Sequence, residues 1–243
     1  MRKPCWRAAT VEPNRGVMTG SQTIGIMADS HGNPEMIATA LAYFKARGCR
    51  YIVHLGDICD SVAYQRANRC VELLREWNVR CIKGNNDHAI VHNGMARHTG
   101  GIAPDTLAYL EALPLEIETT TALFVHSRPF TSLLGMAAMT GDIDQAIVDR
   151  FIMHYPGKML FRGHGHSPRV MDPGAQPGRE VSPGAHNHWE LDSDRGYIVT
   201  CGALYKGLCM TWDPAANILE SHRLATRDLK GFSIAQDNKE KVQ

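Results

Sequence analysis

The chain has 243 residues, 44% of them apolar, which is enough to bury one sizeable core and makes a single domain the default. A formal net charge of +1 predicts no strong pull toward nucleic acid or an anionic membrane, and no apolar run approaches the roughly 18 to 20 residues that span a bilayer. Cys5, Cys49, Cys59, Cys70, Cys81, Cys201 and Cys209 are odd in number and form no CxxC pair, so they read as reduced thiols; with no apolar leader at the start, the expectation is a cytoplasmic protein.

Residues 1–22 read as a poorly ordered extension, with Met18 as a second candidate start, and 226–243 as a tail; the domain is expected over 23–225. The first strand, Thr23 to Ala28, ends at Asp29-Ser30-His31. Asn33-Pro34 then supplies an N-cap and a proline at the first helical position, and Met36, Ile37, Ala40, Leu41 and Phe44 recur at helical spacing until Gly48. Tyr51 to Leu55 is a second buried strand that stops at Gly56-Asp57. A helix is predicted from Ser61 to Trp77, and a third strand, Val79 to Lys83, ends at Gly84-Asn85. Asp57 follows Asp29 by 28 residues and Asn85 follows Asp57 by another 28, close to the roughly 30 residues of one βαβ unit. Successive parallel strands therefore deliver three polar groups to one sheet edge.

Asp105 to Ala112 reads as a short helix, Leu115 to His126 as a hairpin turning at Thr119-Thr120, and Asp142 to His154 as a helix. Between them Leu133, Leu134, Met136, Ala137, Ala138 and Met139 are expected in the core, with a dimer face of a homo-oligomer as the alternative. Lys158 to Arg162 is a strand ending at Gly163-His164-Gly165-His166. Residues 172–195 are rich in turn formers and lack periodicity, which predicts a long loop. Short strands close the chain at Tyr197 to Cys201, Gly207 to Trp212 and Ile218 to Leu224.

Five strand-like runs thus each present Asp, Asn or His at the C-terminal end, the edge where open α/β sheets bind ligands. A carboxylate there is costly unless a cation receives it. Singly, Asp29 is most simply a turn or helix cap, and His126 or His164 a satisfied buried histidine; it is the convergence that points to a metal centre. Carboxylate, imidazole and amide groups without thiolate suit manganese, iron, zinc or nickel. Asp60 reads equally as a cap for the helix near Ser61, and His54, inside a strand, is expected to pack. His88, His92, His98, His154, His186, His188 and His222 are surface residues by composition.

Asp29-x-His31, Gly56-Asp57-x-x-Asp60, Gly84-Asn85-x-Asp87, His126 and Gly163-His164-x-His166 stand in the order and approximate spacing of the calcineurin-like metallophosphoesterases. On these motifs residues 23–215 resemble that family, in particular its small stand-alone bacterial and archaeal phosphodiesterases. The resemblance implies an α/β fold, a four-layer αββα sandwich of two mixed sheets with the metal site at the C-terminal ends of the strands. It further implies two divalent ions, manganese first, with Asp29, His31 and His166 on one, Asn85, His126 and His164 on the other, and Asp57 bridging. Two ions about 3.5 to 4 Å apart can share a hydroxide and clamp both oxygens of an in-line displacement. The implied activity is hydrolysis of a phosphodiester or other small phosphorylated compound, without a serine or cysteine nucleophile.

This chain departs from the family where many members carry a histidine that protonates the leaving group and it carries Asn86. An amide donates a hydrogen bond but no proton near neutral pH, which favours diesters over monoesters. His88, His186 and His188 are the candidate replacement donors, and Arg128, two residues past His126, is the candidate phosphate contact. Asp60-Ser61-Val62 stands where the protein serine/threonine phosphatases have Asp-Arg-Gly, which argues against that activity. The alternatives are a nucleotide or dinucleoside polyphosphate hydrolase, a non-catalytic metal-binding scaffold such as the retromer subunit of this fold, and a closed structural metal site.

Overall fold

The structure, a computed structural model, describes residues 23–92, 101–175, 179–184 and 187–225. The expected extension over 1–22, the tail over 226–243, Cys5, Met18, His98 and His186 lie outside the described residues. Strands β1 (Ile24–Met27), β2 (Tyr51–His54) and β3 (Arg80–Cys81) alternate with helices α1 (Pro34–Ala46), α2 (Ala67–Glu76) and α3 (Asn85–His92). Helix α4 (Pro104–Ala112), the hairpin β4 (Glu116–Glu118) and β5 (Ala122–Val125), and helices α5 (Thr131–Leu134) and α6 (Gln145–His154) follow. The chain closes through β6 (Met159–Arg162), β7 (Arg169–Asp172), β8 (Arg179–Glu180), β9 (His188–Glu190), β10 (Ile198–Thr200), β11 (Leu208–Asp213) and β12 (Ile218–Arg223).

The strands form two mixed sheets of order β3-β2-β1-β11-β12-β9 and β4-β5-β6-β10-β7-β8. Within them β1, β2 and β3 run parallel, as do β5, β6 and β10. Parallel pairing puts their C-terminal ends, and the polar residues that follow, on one edge.

Strand side chains alternate between faces, and the alternation produces the four layers. Met27 faces Ile37, Leu41, Phe44 and Leu74 of the first helical layer, whereas Ile26, Val53 and Leu55 turn inward against Phe124, Phe161 and Val199 of the second sheet. Leu123, Val125 and Leu160 face the opposite way, onto Val148 and Phe151 of α6. Phe161 stacks on Phe124 and leans on Trp212, with ring centroids at 5.3 and 4.9 Å, and the Trp212 indole N–H donates to Asn217 Oδ1 at 3.1 Å. Each such buried side chain contributes about 1.5–3 kcal/mol, so the rigid floor of the sheet edge comes from this inter-sheet layer. The result is the expected αββα sandwich.

Several expectations are corrected. The helix predicted from Ser61 starts at Ala67, after a 3-10 turn over Tyr64–Arg66, because Asp60 Oδ1 accepts the Val62 and Ala63 N–H groups and Ser61 is tied to Asn86. Helix α3 is not among the predicted elements; Asp87 satisfies the Gly84 N–H and so holds the helix start at Asn85. The loop predicted over 172–195 contains β8 and β9, short edge strands held by β7 and β12 rather than by their own pattern. In the segment expected as core, Leu133 and Met136 are 60% and 43% exposed, and only Ala138 and Met139 are buried, since α5 buries none of its residues and only the end of the 3-10 turn that follows it, Gly135–Met139, turns inward. His222, expected at the surface, lies between Tyr43 Oη at 2.9 Å and Thr211 Oγ1 at 2.7 Å. The described cysteines carry free thiols.

Candidate metal centre

Five of the seven expected ligands adopt left-handed backbone: Asp29, His31, Asp57, His164 and His166 have φ of 52, 44, 53, 62 and 52°. Each such non-glycine residue costs on the order of 1–3 kcal/mol and persists only where its surroundings hold it. Here the loops hold one another. The Asp29 N–H donates to Gly56 O at 3.0 Å, the His31 N–H to Asp57 O at 3.0 Å, and the His164 N–H to the Asp29 carboxylate at 3.0 Å. Gly84 is obligatory for contact: a Cβ there would collide with the Asp57 amide nitrogen and carboxylate.

The donor atoms converge in two groups. His31 Nε2 and His166 Nε2 face each other at 3.4 Å, and His166 Nε2 lies 3.5 Å from Asp29 Oδ1. On the other side, His126 Nε2 lies 3.0 Å from the Asn85 amide oxygen, and His164 Nδ1 is 3.2 Å from the same amide position. Asp57 stands between, with Oδ2 3.8 Å from His31 Nε2 and Oδ1 3.6 Å from His126 Nε2. Donors sharing an ion at bonds of about 2.0–2.1 Å are separated by roughly 2.9–3.4 Å, the edge of an octahedron or tetrahedron, so these spacings fit metal coordination with little adjustment. The tautomers fit too. His126 Nδ1 donates to Leu55 O at 2.8 Å, which leaves the Nε2 lone pair pointing at Asp57 and Asn85. Asn85 could alternatively turn its amide nitrogen to both imidazoles; with the oxygen inward, lone pairs meet with no proton between them, the arrangement a cation satisfies.

Asp29, Asp57 and His126 are buried, whereas the His31 and His166 rings are 18% and 32% exposed, so the group opens to solvent on one side. Burial raises the Asp29 carboxyl, but its bond to His166 and the charges of His126, His166 and His31 outweigh that and leave it lowered. The Asp29 bond raises His166 correspondingly, while burial lowers His164.

Asn86, expected in place of a proton donor, is committed on both sides. Its backbone N–H and side-chain amide donate to Asp57 Oδ1 and Oδ2 at 2.8 and 2.7 Å, and its Oδ1 accepts from Ser61 Oγ at 2.7 Å. It orients the central carboxylate. His88 packs its ring on His92, 4.0 Å between centroids, and His188 lies at the edge strand β9 with Glu190 and Glu220 each at 3.5 Å, away from the ligand group. Arg128 rests against Gly141.

Sequence reading assigns no role to four residues near the candidate ligands. Asp87 accepts from the Ile58, Cys59 and Gly84 N–H groups; Tyr205 Oη lies 3.3 Å from His166 Nδ1; Ser30 links two ligand loops; and Arg162 precedes Gly163-His164. Asp87 and Ser30 lie inside the motifs and Tyr205 just past β10, another strand end, so position alone was an available signal.

His54 and Ser30 form a relay behind the ligands. The Gly56 N–H donates to His54 Nδ1 at 3.2 Å, so Nε2–H donates to Ser30 Oγ at 2.9 Å, and Ser30 donates on to Ile58 O at 3.0 Å. Burial pushes the His54 pKa down to about 3. The native state refuses a proton that the unfolded chain accepts below about pH 6.5, so this stabilisation is complete above pH 6.5 and is lost as pH falls toward 3. The expected cost is about 1.4 kcal/mol per pH unit in that window. In urea unfolding between pH 7 and 4.5, His54→Gln is expected to show a shallower loss of stability than the wild type; parallel pH slopes would remove the relay from the account.

A family model described as the calcineurin-like phosphoesterase superfamily domain matches residues 23–201. An uncharacterised protein of Methanocaldococcus jannaschii is 27% identical over 197 residues, covering 74% of this chain and 75% of that protein. Among solved structures, a metallophosphoesterase from Sphaerobacter thermophilus matches with a TM-score of 0.66 at 24% identity, over 84% of this chain and 88% of that one. A hypothetical protein from Pyrococcus horikoshii matches with a TM-score of 0.58 at 15% identity, over 85% and 91%. Both structural likenesses are likenesses of fold.

Proposed function

The chain belongs to the calcineurin-like phosphoesterase superfamily, and from that premise we propose that it is a metal-dependent phosphoric ester hydrolase that uses a dinuclear centre to hydrolyse a phosphodiester or other small phosphorylated compound. The observation that carries this reading is Asp57, with one carboxylate oxygen toward the Asp29-His31-His166 group and the other toward His126 and Asn85. Divalent ions held by these two groups would supply Lewis acidity for a phosphoryl oxygen and acidify a water nucleophile. The chain's own residues do the positioning. Asn86 fixes both Asp57 oxygens, Leu55 O fixes the His126 tautomer, Tyr205 holds the His166 ring from its outer nitrogen, and interlocked loops hold the strained backbone.

The partly exposed His31 and His166 imidazoles support an open site rather than a closed structural one. With Asn86 consumed by Asp57 and His188 at an edge strand, His88 is the candidate donor left among the described residues, and the amide at position 86 supports diesters and activated esters over alkyl monoesters. Manganese remains the first choice of ion, with iron, zinc and nickel as alternatives. The test is to strip the protein with chelator, reload it with manganese, iron, zinc, nickel or magnesium, and assay matched mono- and diesters of 4-nitrophenol. Hydrolysis restored by metal, faster on the diester, is expected. Absence of turnover with full metal loading would leave the scaffold reading; a preference for nucleotides or dinucleoside polyphosphates would select the nucleotide-directed alternative.

A further inference from the structure

A pair of cations beside the centre is unexplained by that chemistry. Arg162 ends β6 with its side chain on the face opposite Phe161 and is only 7% exposed. Among the described residues its Nε has no hydrogen-bond partner, and its Nη2 has long contacts, 3.4 Å to Ser127 Oγ and 3.9 Å to Asp142 Oδ1. The Asp142 side chain is itself 95% exposed, so solvent screens its charge and leaves it free to swing away. Arg128 is half-buried and lies with its guanidinium against Gly141, where any Cβ would collide with it; its Nε is also buried and unpartnered. Ser127 Oγ ties this corner together by donating to Gly141 O. Burial lowers the Arg162 pKa, the Asp142 and Asp29 carboxylates work against that, and the Arg128 charge adds to it.

A guanidinium does not shed its proton under any ordinary condition, and the charge of buried Arg162, with half-buried Arg128 nearby, is only partly offset by the exposed Asp142 and by Asp29, which leaves donors for an anion. The pair adjoins the centre through the chain itself, Arg162 two residues before His164 and Arg128 two residues after His126. Arginine presents several N–H donors in a fixed fork that matches phosphate oxygens. We propose that Arg128 and Arg162 form an anion subsite that takes a second phosphate of the substrate, so that the preferred substrates are phosphodiesters bearing a further phosphate monoester or pyrophosphate. Asp142 occupies the mouth of that subsite and is displaced from Arg162 when the anion enters. The inference rests on the hydrolytic reading above for its scissile ester, but the subsite stands on its own geometry.

Thymidine 5′-(4-nitrophenyl phosphate) and its 3′-phosphorylated counterpart release the same phenol and differ only in the second phosphate. With the metal-loaded full chain, KM is expected to be about tenfold or more lower for the 3′-phosphorylated ester, the size of one charge-assisted bond pair. Arg162→Gln is expected to bring the two KM values within about twofold of each other, and Asp142→Asn to widen the gap, because it removes the competing carboxylate. Equal KM values in the wild type overturn the proposal, as does a preference that survives Arg162→Gln in a variant with a native circular dichroism spectrum. Should Arg162→Gln fail to fold, Asp142→Asn decides alone, and an unchanged or smaller gap overturns the proposal. If neither ester is turned over with any metal, the hydrolytic reading is what fails. The subsite is then tested by calorimetry with thymidine 3′,5′-bisphosphate against thymidine 5′-monophosphate, where equal affinities, or a preference that Arg162→Gln leaves intact, overturn it.

Discussion

Asp57→Asn is expected to lower metal-dependent phosphoester hydrolysis by about a thousandfold or more, equivalent to roughly 4 kcal/mol of lost transition-state stabilisation, and to reduce the bound metal after gel filtration. Asp57 is the residue whose two oxygens face both groups of donors, and an amide in its place offers one neutral oxygen where a carboxylate offered two charged ones. The fold is expected to tolerate the change. The variant loses one bond from Asn86 but also loses the charge that faces Asp87, so the metal-free proteins should unfold within a few degrees of each other. This separation of activity from stability makes the variant informative. Hydrolysis at the wild-type rate with undiminished metal content would remove Asp57 from the centre and with it the dinuclear reading.

Asp87→Ala is expected to act in the opposite sense, mainly on stability. Its carboxylate is wholly buried and accepts three backbone N–H groups: Gly84 and Cys59 at 3.0 Å and Ile58 at 3.3 Å. Removing it strands those donors, each at a cost of about 1–3 kcal/mol, for a total of about 3–5 kcal/mol once some rearrangement is allowed. For a chain of this size that corresponds to a fall in Tm of about 10 °C. Burial and the neighbouring Asp57 push the Asp87 carboxyl up to about 7, while the three donors pull it down. Relief of that unfavourable burial offsets part of the cost, and Asp87→Asn, which keeps one acceptor oxygen, should lose less than half as much. Thermal unfolding of both variants without metal checks the ordering; an alanine variant as stable as the wild type would show that the Gly56–Ile58 turn holds itself.

The two variants address linked turns. Asp87 holds the backbone on which Asp57 sits, and Asn86, between Asn85 and Asp87 in sequence, holds the Asp57 side chain. One turn after β3 therefore provides a candidate ligand, its neighbour's orientation and the loop's satisfaction in three consecutive residues. That economy fixes the start of α3 at Asn85, and the close approach of Asp57 is why Gly84 can have no side chain.

The amino-acid order by itself determined the candidate ligands and the sheet edge they share, and the family resemblance carried by its motifs implied the layers. Apolar strand runs are local signals, the two intervals of 28 residues match a parallel βαβ unit, and such units align the C-terminal ends of their strands whatever lies between. Only the tertiary structure decided that Asn86 faces Asp57 rather than solvent, and that His54, Ser30, Asp87 and Tyr205 support the candidate ligands from behind. It also decided that His188 stays at an edge strand and that Arg162 lies buried beside Arg128. These are contacts between residues tens of positions apart, made by single side chains or by strands of two or three residues, too short to carry a period of their own. A repeating pattern records which face a segment buries; it holds no record of what a polar group meets once that face is closed.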